Sequence, residues 1–350
     1  MSAWESAYRW PDGVQFDGRD GDRIRMQVSM PTDERGFIGR QCTSCSQLFR
    51  IDSDAYQALP DDHTELWCVY CGYHDGHGEF ITDQQLERAE RAVGDMAEQY
   101  VQQMLDNAFG GMATPRRDSS FGIEITYRST PFYPQPLPGI NEEELIRIRT
   151  CASCAVRYAV FGEHRYCPVC GPLSAEVVAL DALEAETARL DGLRQLPVEA
   201  AALLREQGVF TRLWVDTLEN VVGVVEPLAR AVFYDAVPDA AARVKGNWNV
   251  FQRLDDLADL FVASGYADLR ILLDDEVWLR LQATWATRHL FTHNDGVIDD
   301  KYIAKMPTSA AKLGRRATVT EPLCRQAIAD AHILCTAIAS ITAEQTPPPS

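Results

Sequence analysis

Three hydrophobic patterns succeed one another along the chain. Residues 1–35 are polar and acidic, and only Arg23-Ile24-Arg25-Met26-Gln27-Val28 alternates, which predicts one strand in a β-containing arm. From Thr82 to about Phe109 the spacing becomes helical, with Leu86, Ala89, Val93, Ala97, Tyr100, Val101, Met104 and Leu105 on one stripe. Thr82 or Asp83 caps this helix, Gly110-Gly111 ends it, and the stripe is expected to pack on neighbouring structure. Alternation returns at Phe121–Arg128 and at Leu145–Arg149. Between them Pro131–Gly139 is stiff, since each proline fixes its own backbone and disfavours helix before it, and it reads as a spacer.

After Pro172 the chain turns to Ala, Leu, Glu and Arg at helical period. Helices are expected at Ala175–Gln195, Pro197–Gly208, Thr211–Tyr234, Trp248–Ser264, Asp274–Phe291 and Glu321–Ile341. Thr211–Tyr234 is apolar nearly all round, which places it at a bundle centre or an oligomer interface, and Pro227 should bend it. Cys324 and Cys335 share a helix face as buried thiols, and Thr346–Ser350 should be a disordered tail. These shifts divide the chain into an acidic arm (1–35), a ribbon with a helix (36–115), a strand, spacer and second ribbon (116–172), a helical connector (173–208) and a helical domain (209–346).

The ribbons rest on cysteine spacing. Cys42-Thr43-Ser44-Cys45 is followed after twenty-two residues by Cys68-Val69-Tyr70-Cys71, and Cys151-Ala152-Ser153-Cys154 after twelve by Cys167-Pro168-Val169-Cys170. Each set offers four thiolates at a tetrahedral spacing, and Gly72 and Gly171 let the backbone turn toward the sulfurs. Two structural Zn2+ sites follow, with iron as the alternative metal; redox chemistry lacks the βαβ context it needs. His63, His74 and His77 are expected to face solvent. Arg147, Arg149, Arg157, Tyr158, Arg165 and Tyr166 make the second ribbon the better recognition surface, while the acidic first ribbon reads as structural or protein-binding.

Composition narrows the partners. The 350 residues suffice for two or three domains, and 46% hydrophobic with 24% charged residues is ordinary for a globular protein. No apolar run approaches the ~20 residues of a membrane helix. The N-terminus lacks a secretory pattern, so a cytoplasmic protein is expected. A net charge of −18 argues against broad affinity for nucleic acid, so any RNA contact must be local. Lys301, Lys305, Lys312, Arg315 and Arg316 form an acid-free stretch that reads equally as a solvated loop or an RNA-binding one.

That stretch follows Arg288-His289-Leu290-Phe291-Thr292-His293, which closes an apolar helix and runs into the stop Asn294-Asp295-Gly296. Imidazole exchanges protons near neutral pH and guanidinium offers a charged fork to phosphate, so Arg288 and His293 suit phosphodiester cleavage without a metal. Five positions is about 140° of helix, so either the helix ends before His293 or a second copy completes the site. His289 and His293 would stack. They also continue the stripe Trp278, Leu281, Trp285, so His289 also reads as a core histidine at the end of a packed helix. A metal pair of His289 and His293 with Asp295 or Asp299 lacks the glutamate of helical zinc proteases.

The string Arg-polar-x-x-x-His at a helix end, followed by Asn-Asp-Gly-Val-Ile-Asp, resembles the signature of the HEPN superfamily over roughly residues 209–346. The resemblance implies a helical bundle, commonly dimeric, and a metal-independent endoribonuclease of toxin or anti-phage type. Arg288 and His293 would be its catalytic pair, with His289 in the polar position where Asn or Asp is frequent. Some members bind RNA or nucleotides without cutting, so a non-catalytic binding or adaptor protein is the alternative. The expected fold is mainly α: a HEPN-like bundle after two small β zinc-ribbon modules. Its partners would be an RNA substrate, an inhibitor or other protein, and a second copy.

Overall fold

The computed structural model describes residues 8–21, 23–109, 132–142, 145, 147–306 and 311–341. The strand expected at 121–128, the stop at Gly110-Gly111 and the 346–350 tail lie outside them. The chain divides into one unit of residues 1–161 and 166–171 and another of 162–165 and 172–350. The segments 1–35, 36–115 and 116–172 therefore fall together in the first unit, apart from the 162–165 crossover and Pro172.

In the first unit β1 (Val14–Asp20) and β2 (Arg23–Val28) form a hairpin with an irregularity between Phe16 and Gly18. The strand expected at 23–28 is thus present with a partner, which polar residues and Gly18 conceal in the sequence. β3 (Phe37–Gln41) and β4 (Leu48–Asp52) flank the Cys42/Cys45 turn; α1 (Ser53–Gln57), β5 (Glu65–Trp67) and β6 (His74–Gly76) follow. After α2 (Asp83–Phe109), β7 (Arg147–Thr150) and β8 (Arg157–Val160) flank the Cys151/Cys154 turn, and β9 (Tyr166–Cys167) pairs with β10 (Gly171–Pro172).

The two ribbons share one antiparallel sheet, ordered β3-β4-β8-β7. Its centre is the pairing of Arg50 with Ala159 and Ile51 with Tyr158. Phe37, Phe49, Ile51, Tyr158 and Ala159 are all buried there. Tyr158, expected on a recognition surface, is core. Arg157 reaches from the second ribbon to Asp52 of the first at 2.9 Å and lies over the Phe37 ring.

α2 corrects the expectation for its apolar stripe. Thr82 and Gln85 cap its start reciprocally, as a Thr-x-x-Gln box should. The buried positions are Gln85, Ala92, Asp95, Met96 and Gln99, whereas Leu86, Val93, Tyr100, Val101, Met104 and Leu105 are exposed. Polar side chains go inward because they hydrogen-bond the backbone of segments laid along the helix. Gln99 exchanges two 2.8 Å bonds with the backbone of Arg9, Gln84 bonds the backbone of Asn141, and Asp95 accepts from Gln135 N–H. Arg88 donates to the carbonyls of Ser29 and Pro138, so the proline-rich segment is a strap along α2. Met96→Ala is expected to cost about 2 kcal/mol. Val101→Ser should stay within about 0.5 kcal/mol, as urea unfolding midpoints will show.

The second unit is helical: α3 (Ala175–Arg194), α4 (Val198–Glu206), α5 (Val209–Ala236), α6 (Ala240–Arg243), α7 (Leu254–Ala263), α8 (Leu269–Leu272), α9 (Asp275–Asn294), α10 (Asp300–Lys305) and α11 (Glu321–Ala339). α5 is its centre, burying Leu218, Val221, Val225, Leu228, Ala229 and Phe233 against α3 and α11. The helix continues through Pro227. Phe233 meets Phe251 and Phe261 edge-on at 5.8 and 5.6 Å, and Cys324 and Cys335 are fully buried thiols. Trp248 stands outside the helix expected to begin with it; a short 3-10 turn at Val250–Gln252 precedes α7. About half the chain is helical, and no helix among the described residues is long and apolar enough to cross a membrane.

Candidate metal centres and catalytic cleft

Cys42, Cys45, Cys68 and Cys71 form one cluster and Cys151, Cys154, Cys167 and Cys170 another, all sulfurs of each lying within 4.8 Å of one another. The first turns are built alike. Cys42 N–H donates to Gln47 and Ser46 N–H to Cys42; Cys151 N–H donates to Val156 and Ala155 N–H to Cys151. Ser46 and Ala155 both take the left-handed conformation at φ 59°. Sulfur separations are 3.7 Å for Cys42–Cys71 and Cys45–Cys68, and 3.3 and 3.7 Å for Cys151–Cys170 and Cys154–Cys167. A tetrahedral ion with bonds to sulfur of about 2.3 Å requires edges of about 3.8 Å, so both clusters fit a zinc-sized cation. Burial pushes the Cys68 and Cys167 thiols well up, so four thiolates need a cation among them.

The clusters are tied to each other. Trp67 N–H donates to the Pro168 carbonyl at 2.9 Å and Tyr166 N–H to the Val69 carbonyl at 3.1 Å. The two rings stack at 6.0 Å. Gly72, at φ 75°, lies against Tyr166, where a Cβ would strike the ring, and Gly171, at φ 80°, lies against Trp67, where a Cβ would crowd it. Tyr166, expected to face a partner, holds the ribbons together instead. Of the histidines expected to face solvent, His74 is exposed and stacks on Trp67 at 4.2 Å, while His77 and His63 are half-buried side by side and His77 bonds the Tyr56 hydroxyl at 2.8 Å.

The other candidate site lies at the end of α9. The helix runs unbroken to Asn294, and Asp295 and Gly296 then take left-handed angles of 49° and 76°. The N–H groups of both donate to Leu290, and a Cβ at Gly296 would strike Phe291, so the stop read from the sequence needs glycine for a steric reason. Despite their helical offset, Arg288 and His293 line one cleft of about 400 Å³, together with His289, Asn247, Trp248 and Asn249. Arg288 and His289 also line a second cleft of about 520 Å³ with Asp255, Asp256 and Lys305.

His289 is exposed and its ring lies 4.6 Å from that of His293. It is therefore a surface side chain, not a core one. Burial first, then His293, Lys305 and Arg288, push its pKa below the ordinary imidazole value, with Asp299 opposing. Neutral imidazole is favoured. Arg288 is half-buried, and its Nε is shielded from solvent without a hydrogen-bond partner among the described residues. By contrast Arg280, two turns earlier, is held by Asp330 through bonds of 2.9 and 2.8 Å.

Of the basic stretch, Lys305 lines the second cleft with Arg288 and His289. Residues 314–317 fold back along the helix stop, with Ile298 exchanging backbone bonds with Gly314 and Arg315. Arg316 donates to Asp295 and covers Phe291, so it secures the helix end. Lys301, Lys312 and Arg315 are exposed and line neither cleft. Trp248 is the cleft residue the periodicity hid, by reading it into a helix; the Gly246-Asn247 and Asn249 turn residues around it are the signal for a loop. No family model, curated protein or solved structure matches the chain.

Proposed function

We propose that the chain is a metal-independent endoribonuclease of HEPN type, in the toxin or anti-phage role that the resemblance suggests, with zinc in both four-cysteine clusters as scaffold. The observation that carries it is one open cleft lined by Arg288, His289 and His293, in which Arg288 Nε has no partner among the described residues. A phosphate in the cleft would accept charge-assisted bonds from the part of the Arg288 guanidinium that faces the opening. In the reaction the ribose 2′-oxygen attacks the adjacent phosphorus and the 5′-oxygen leaves, giving a 2′,3′-cyclic phosphate and a 5′-hydroxyl. His289, held neutral, takes the 2′ proton; His293 protonates the leaving oxygen; Arg288 stabilises charge on the non-bridging oxygens.

The test is cleavage of unpaired RNA in EDTA, with zinc content checked afterwards. Cleavage that persists in chelator and disappears in His293→Ala supports the proposal. A magnesium requirement removes it, and RNA bound without cleavage points to an adaptor.

The role of His289 has its own signature. A base with a lowered pKa stays neutral to lower pH, so the acid limb of kcat/KM should lie below the ordinary imidazole range. Lys305→Met removes one of the charges holding His289 down, so its pKa rises and the acid limb moves to higher pH. A limb that stays put removes His289 from proton transfer.

A further inference from the structure

Trp248 is 71% exposed, the most exposed large aromatic among the described residues. Its loop is anchored at both ends: Val244, Val250 and Phe251 are buried at 2–3% exposure. Successive turns are closed by bonds from Asn247 N–H to Val244, Val250 N–H to Asn247 and Gln252 N–H to Asn249. Arg253 donates to the Asn247 side chain. The indole is thus held outward by a built loop, and burying so large an apolar surface elsewhere would have been favourable. It stands instead on the wall of the cleft that Arg288, His289 and His293 line.

We infer that Trp248 is the stacking platform for an unpaired nucleobase next to the phosphate that Arg288 holds, which makes single-stranded RNA the ligand class. This rests on reading the Arg288 cleft as a phosphate site. Aromatic faces stack on any splayed base, whereas bases within a duplex are already stacked and cannot reach the ring. Trp248 therefore selects for strand state more than for sequence.

The experiment titrates the full-length His293→Ala chain, in which cleavage cannot obscure binding. The probes are a mixed-sequence single-stranded RNA of about twelve nucleotides, within the usual span of single-strand sites, and the same strand annealed to its complement. Binding is followed by tryptophan emission and by anisotropy of a labelled strand. The single strand should quench emission, and Trp248→Phe should abolish most of the quench while keeping most of the affinity. Trp248→Leu, which keeps bulk but not stacking, should weaken binding about tenfold or more. The duplex should neither quench nor compete. Quenching that survives Trp248→Phe, full affinity in Trp248→Leu, equal quenching by duplex, or no RNA binding each overturns the inference. If the wild-type chain fails to cleave but the quench depends on Trp248, the nuclease proposal falls and the platform stands. If Trp248→Leu cleaves short single strands with an unchanged KM, the platform falls and the nuclease stands.

Discussion

Replacing Cys68 with serine is expected to release both metal ions, not one, and to unfold both ribbons. The sulfur is fully buried, so the variant removes a ligand from the inside of the first cluster. The Val69 carbonyl that receives Tyr166 N–H, and the Trp67 N–H that holds the Pro168 carbonyl, belong to the same knuckle. Tyr70 in that knuckle donates to the Leu48 carbonyl and accepts Phe161 N–H, linking it to residues at the edges of β4 and β8. Once the knuckle loosens, the stack of Trp67 on Tyr166 and the central β4–β8 pairing lose their support. A structural zinc contributes about 10–16 kcal/mol of apparent binding free energy, comparable with the whole stability of a domain, so loss of the first ion removes enough to unfold the sheet that both ribbons share. Metal per chain should fall from two to well below one, and Cys167→Ser should do the same. The helical signal in circular dichroism should largely remain, since the second unit has its own core. A Cys68→Ser chain that keeps one full equivalent of metal would show the sites to be independent.

What the sequence made legible follows from where the determining interactions lie. The cysteine clusters were readable because each pair is local and only one coordination geometry suits four thiolates at that spacing. The bundle helices were readable because their apolar period faces a core, and the α9 stop because Asp295-Gly296 is a local backbone requirement. The shared sheet was not, since Arg50 and Ala159 pair across more than a hundred residues and neither strand carries a mark of its partner. The face of α2 was misjudged for a related reason: Gln85, Asp95 and Gln99 are buried by hydrogen bonds to distant backbone, which hydrophobic spacing does not record. Arg288 and His293 could be named, but not their meeting in one cleft. That depends on the 246–253 segment, of which residues from Trp248 on were expected to be helix.

The second large effect concerns the cleft. Arg288→Ala should lower cleavage by about 10²–10³-fold and His293→Ala by about 10²–10⁴-fold, the ranges for removing an oxyanion donor and a general acid. Arg288→Ala should leave Tm unchanged or slightly raised, because an unsatisfied buried donor is removed with the charge. Arg280→Ala is the contrast: it abandons Asp330, which is 1% exposed, and should lower Tm with little direct effect on chemistry. Loss of activity without loss of stability at Arg288, and the reverse at Arg280, separates a functional arginine from a structural one on the same helix.

The most direct measurement is mass spectrometry of the RNA ends that the wild-type chain produces in EDTA. Transfer to the 2′-oxygen by Arg288, His289 and His293 predicts 2′,3′-cyclic phosphate and 5′-hydroxyl ends, absent with His293→Ala. Ends bearing 5′-phosphate and 3′-hydroxyl, or the same products from His293→Ala, would contradict it.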